Sequence, residues 1–167
     1  MGEAGGGPSS PPGGRHAPGK GPEDTGGSEP DAGERRRERL VALFRRAPIV
    51  RTFGMTLSYD EEGRAVIDLP RNPDLDHAAG DVHGGVIATL LDSAAWFTAA
   101  PRYEGWISTV EFDTRLLEPA GGGDLRAVGD LLRAGRRLST ARAECRDGEG
   151  RLVAVGTGTF TVTGVDV

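Results

Sequence analysis

HGGVIATLLDSAAWFTAA, residues 83–100, is the stretch on which the fold turns. After the opening His-Gly-Gly, eleven of the next fifteen residues are apolar, and a single charge, Asp92, stands near the middle. The run predicts a helix of four or more turns that is apolar on nearly all faces. Such a helix must be covered on nearly all faces. At helical spacing, Ala88, Leu91, Ala95 and Ala99 fall on the same side as Asp92. A carboxylate enclosed by them is desolvated at a cost unless a partner holds it. A solvated face and an ion pair with an arginine on a sheet are the structural explanations; a reacting group is the functional one.

Working outward, residues 54–70 (GMTLSYDEEGRAVIDLP) read as a hairpin with its turn at Asp60–Gly63, and 71–82 as a polar loop. Beyond the helix come four strand-like runs, expected to form a meander. The first, WISTVEFDTRLLEP, ends at Pro119, and GlyGlyGly at 121–123 is a turn. A tight turn at Ala134–Arg136 separates the second and third, and Asp147–Gly150 the third and fourth. Residues 34–46 (ERRRERLVALFRR) predict a further helix with Leu40, Leu43 and Phe44 on one stripe. Its six arginines read as a solvated face. Strands flanking a single long helix indicate an α+β domain with an antiparallel sheet. Ser139, Ala141, Ala143 and Cys145 alternate along one strand, small enough for the helix to lie close.

Composition excludes several classes. Residues 1–34 contain seventeen Gly or Pro and only Met1 as a large apolar residue, which predicts a disordered tail ahead of a domain spanning 35–167. The tail lacks the apolar core of a signal peptide, and Gly6 stands where a myristoylation signal needs Ser or Thr. A net charge of −5 gives no basic footprint for nucleic acid, and no apolar run reaches the ~18–20 residues of a membrane span. Arginine supplies 19 of the 20 basic residues, a bias expected of a GC-rich coding genome. One cysteine, Cys145, rules out an internal disulfide and a Cys-based zinc cluster. A cytoplasmic protein is expected.

HGG at 83–85, the acid nine residues after His83, and EPA at 118–120 together resemble the hotdog-fold acyl-CoA thioesterases of the phenylacetic-acid-degradation type, over about residues 50–163. The resemblance implies a hotdog fold, an antiparallel sheet wrapped around one long helix. It also implies hydrolysis of acyl-CoA without metal or cofactor, coenzyme A being part of the substrate. Homodimers pairing through the sheet edge, or tetramers of two dimers, would build two sites at the dimer interface.

The residues supply the chemistry. Gly84 and Gly85 open the helix, where the first N–H groups lack acceptors and the macrodipole is positive. A thioester carbonyl placed there would be polarised and its oxyanion stabilised, by about 3–4 kcal/mol for one such donor. Asp92 would act as general base for water or as nucleophile. Eight residues of helix separate Gly84 from Asp92, about 12 Å at 1.5 Å per residue, and the two cannot converge on one reacting atom. If both act, Gly84 of one subunit meets Asp92 of another.

His83 matches the family's HGG histidine, with helix capping as the plain alternative. His77 stands where the family often has an Asn or Gln that orients the carboxylate, thioester or water; an exposed loop histidine is the alternative. Thr109 aligns with a family hydroxyl that holds water or the carboxylate. Ser108 is its off-by-one competitor, and only one of the two can face the site. Trp96 and Phe97 are expected beside the acyl pocket. Arg136 and Arg137 at a strand turn are candidates for the CoA phosphates, or are simply solvated.

Two rivals stand beside hydrolysis. A non-catalytic acyl-CoA-binding hotdog protein would not need the acid at 92. A hotdog hydratase or dehydratase carries D-x-N-P-x-H, but in PRNPDLDH (70–77) Pro70 replaces the Asp and Leu75 the His.

Overall fold

The computed structural model describes residues 1–2, 7 and 31–166. Most of the expected tail, including Gly6, therefore lies outside the described residues. Its last residues do not behave as tail. Asp31 caps helix α1 (Ala32–Arg46), its Oδ1 accepting from the Glu34 N–H at 2.7 Å, so the helix starts two residues ahead of the expected position. Leu40 and Phe44 are buried as expected, with Leu43 packed at the margin.

A second helix, α2 (Pro48–Phe53), was not expected. Proline begins it, and Gly54 ends it in the left-handed region at φ 78°, where its N–H reaches the Val50 carbonyl. The predicted hairpin follows as β1 (Thr56–Tyr59) and β2 (Ala65–Leu69), in register from Thr56–Asp68 to Tyr59–Ala65. Its turn is closed by the Asp60 carboxylate, which takes the Arg64 N–H at 2.8 Å. Next come the long helix α3 (Gly84–Ala99) and four strands, β3 (Gly105–Leu116), β4 (Leu125–Ala134), β5 (Leu138–Asp147) and β6 (Leu152–Asp166).

The expected four-strand meander is wrong at its first member. The sheet order is β1-β2-β4-β5-β6-β3. Only β4, β5 and β6 meander; β3 lies at the far edge and pairs with β6, not β4. The cause is packing on the inner face. Gly156 and Gly158 of β6 leave a hollow, and the Phe112 ring of β3 fills it, so that a Cβ on Gly156 would meet Phe112 Cζ at 2.7 Å. β3 also ends at Leu116 rather than Pro119, and the β4–β5 reversal runs through Gly135–Arg137 rather than Ala134–Arg136.

The sheet curls around α3, the hotdog arrangement. Val86, Ile87, Leu90, Leu91, Ala94 and Ala95 of the helix are all buried. Close approach is made possible by small residues: Ala127, Ala141, Ala143 and Cys145 face the helix, each at most 1% exposed. Gly129 on β4 is the tightest point, because a Cβ there would run into Thr98 Oγ1 and the Ala94 carbonyl. The same Thr98 hydroxyl accepts the Ala65 N–H at 2.9 Å, tying helix to β2. Burial pushes the Cys145 thiol up to about 12. No helix among the described residues is long and apolar enough to cross a membrane.

Candidate active site

The loop before α3 is held rigidly. Arg71 pairs with Asp76, Asp76 bridges to Val82, and the His83 N–H reaches the Leu75 carbonyl at 3.0 Å. His83 then caps the helix: its Nδ1 accepts the Gly85 N–H at 2.9 Å. The capping alternative is thus the geometry found. Gly85's N–H is occupied and its Cα lies under the imidazole, while Gly84, at the first helical position, keeps an N–H with no acceptor among the described residues.

His77 uses Nδ1 in the same manner, accepting from the Ala79 N–H at 3.1 Å. An Nδ1 that accepts belongs to a ring with its proton on Nε2. Each histidine therefore offers one Nε2–H outward. His77 and Gly84 line a single cavity of about 540 Å³ with Ile87, Leu116 and Glu118. Leu116 was not singled out in the sequence, and Glu118 only as part of the EPA motif that follows the strand, with no place in the site given to it.

Asp92 belongs to a different cavity, of about 350 Å³, lined also by Trp96, Phe97, Trp106 and Thr109. The expected enclosure by Leu91, Ala95 and Ala99 is not found. Those three are fully buried against the sheet, whereas Asp92 lies half-buried on the open stripe of α3 with Ala88, Thr89 and Ser93. What holds it is β3. The Thr109 hydroxyl donates to Asp92 Oδ1 at 3.1 Å. Burial raises the carboxyl above its ordinary 3.8, and the Thr109 hydrogen bond pulls the other way. Among the described residues no arginine pairs with it, so the ion-pair explanation fails. Ser108 lines the same cavity, against the expectation that only one of the pair would, but of the two only Thr109 hydrogen-bonds the carboxylate among the described residues.

Trp96 is 7% exposed and its Nε1–H donates to the Ile107 carbonyl at 2.9 Å, so it offers a ring face rather than a donor. Trp106 lies 4.7 Å from it between ring centroids. Arg136 and Arg137 are exposed in the β4–β5 turn, away from the Gly84 cavity, with no ion pair among the described residues. No group of three or more His, Cys, Asp or Glu among those residues could hold a metal ion.

The sequence profile of the thioesterase superfamily matches residues 79–154, which contain both cavities' helix and the strand β5. The medium/long-chain acyl-CoA thioesterase YigI of Escherichia coli is 30% identical over 132 residues, covering 69% of this chain and 85% of YigI. A Bacillus halodurans protein solved with CoA is 26% identical at TM-score 0.67, covering 81% of this chain and 97% of that one. The PaaI protein of the E. coli phenylacetic acid degradation operon superposes at TM-score 0.74 over 81% of this chain and 99% of its own, at 17% identity, a likeness of fold. The chain belongs to the thioesterase superfamily.

Proposed function

We propose that the protein hydrolyses acyl-CoA thioesters to free acid and CoA, at centres each built from Gly84 of one copy and Asp92 of another. The observation that carries it is the pair of separate cavities. Within one chain the unpartnered helix-end N–H and the half-buried carboxylate open into different hollows with no lining residue in common. About 12 Å of helix lies between them. A second copy supported by the β3 edge would close the gap. Among the described residues that edge has no strand beyond it, and it exposes Val110 at 58% and Leu116 at 54%, apolar side chains that an uncovered edge strand avoids.

In the proposed reaction Asp92 takes a proton from water and hydroxide adds to the thioester carbon. The oxygen that becomes negative receives the Gly84 N–H, and His77 Nε2–H lies at the same cavity as a second donor. Collapse breaks the carbon–sulfur bond, and the CoA thiolate leaves to take up the proton. No metal enters this scheme. Attack by Asp92 itself would expel the CoA thiolate and leave an anhydride; water opening it at the Asp92 carbon, with the acyl–oxygen bond kept, would leave oxygen-18 in the Asp92 carboxylate after a single turnover in labelled water. YigI's name and the CoA-bound relative support the substrate class. Arg136 and Arg137 are proposed for the CoA phosphates. A single, buried, unpaired cysteine fits a reducing cytoplasm.

The test is a panel of acyl-CoAs followed by release of free thiol. Turnover that disappears in Asp92→Asn supports hydrolysis. Tight acyl-CoA binding with no thiol released would overturn it in favour of a binding protein.

A further inference from the structure

The Asp92 cavity has a neighbour on the other side of its aromatic wall. A second hollow, also of about 350 Å³, lies between α3 and the two N-terminal helices. The two share Ser93, Phe97 and Trp106, so they adjoin across those three side chains. Beyond them the walls are Leu43, Phe44, Ile49, Val50 and Met55, with Arg46 as the one charged residue. Ser93 follows Asp92 directly on the open stripe of α3 and is the smallest of the three side chains that line both hollows.

Resting on the thioesterase reading, we infer that α1 and α2 wall a chamber for the far end of an extended acyl tail. Ser93, Phe97 and Trp106 form the neck that the tail crosses, and the preferred substrates are unbranched acyl groups of medium length or longer. The occupant follows from continuity. A tail whose carbonyl lies at Asp92 and whose chain passes Ser93 runs next into this apolar hollow. A compact arylacetyl group would fill the first cavity and leave the second without a function. Ile49, a large apolar side chain 49% exposed on α2, is explained in the same way, as a wall that a substrate covers.

The test compares butanoyl-, octanoyl-, dodecanoyl- and palmitoyl-CoA in the full-length protein and in Ile49→Trp and Leu43→Trp, each checked for folding by circular dichroism. Ile49 is half exposed, so a larger ring there has room to fold; Ile49→Asp, which places a carboxylate in the wall, gives the same readout should both Trp variants misfold. In the parent, kcat/KM is expected to climb with chain length to dodecanoyl. In the variants the ratio of dodecanoyl to butanoyl kcat/KM falls about tenfold or more, the scale of a few lost methylene contacts. A parent profile that is flat or falls with length, or a ratio that no variant moves, overturns the chamber and leaves hydrolysis standing. A parent that cleaves none of the four but releases thiol from phenylacetyl-CoA overturns the chamber alone; one that cleaves neither overturns hydrolysis, and the chamber with it.

Discussion

Thr109 on the edge strand and Asp92 in the middle of the central helix are joined by a 3.1 Å hydrogen bond, donated by the hydroxyl to Oδ1. This one contact fixes the carboxylate's direction and favours its charged form, against the burial that favours the neutral one.

Replacing Thr109 by Val keeps the shape and removes the donor. The Asp92 carboxyl then rises further, and a base that must be ionised starts to work only at higher pH. The acid limb of the pH–kcat/KM profile is expected to move upward, with a rate loss of about tenfold at the limb. Thr109→Ser should restore both. A limb that stays in place would show that Asp92 does not control the rate.

Asp92→Asn should lower kcat by about a hundred- to ten-thousandfold, the range for a lost general base. It should also stabilise the fold at neutral pH. The folded carboxyl lies above its ordinary value, so ionisation opposes folding as pH climbs through that range, and below it acid and amide are equivalent. Melting curves should show the variant higher by roughly 2–4 °C at pH 7 and level with the parent in acid. An unchanged melting point across that range would contradict the burial.

Gly84→Pro deletes the terminal N–H at a first helical position, after a His83 already extended at ψ 134°; its Cβ meets Leu116 Cδ1, the tip of a half-exposed side chain that can turn aside. Alone it should cost about a hundred- to thousandfold in kcat. Mixed by refolding with an equal amount of Asp92→Asn, it should recover about a quarter of parental activity, since half the dimers are mixed and each mixed dimer has one intact centre. Centres built within one chain would recover nothing.

Gly129→Ala should lower stability by about 1–3 kcal/mol, because its Cβ meets helix backbone at Ala94, which cannot rotate away. Activity should fall with it, since α3 carries Asp92. Thermal denaturation and the thioester assay on one preparation would check both; an unaltered melting point would contradict the close helix–sheet contact.

How much of this was legible in the sequence depended on how far apart the deciding residues lie. The β5 alternation of Ser139, Ala141, Ala143 and Cys145 is local, and it was read correctly. The β3–β6 pairing depends on Phe112 fitting over Gly156 and Gly158, more than forty residues away, and no pattern within either strand announces it. Helix α2 did carry a signal, Pro48 at its start and Gly54 at its end, but six residues are too few for periodicity. In the site, helical spacing placed Asp92 on α3 but chose the wrong neighbours. The sheet covers the Leu91, Ala95 and Ala99 side, and which side a sheet covers is a tertiary fact. The tie to Thr109 was suggested by resemblance, and Ser93 and Trp106 gained meaning only when two hollows were found to adjoin across them.

Cys145 adds a practical convenience. Sealed beneath the helix with its sulfur held protonated, it is invisible to chromogenic disulfide reagents while the molecule stays closed. In the proposed thioester assay, colour that develops promptly would therefore count departing coenzyme alone. A slow additional equivalent, appearing long after substrate is spent, would count the molecules that have come undone and serve as a built-in clock for opening of the sheet.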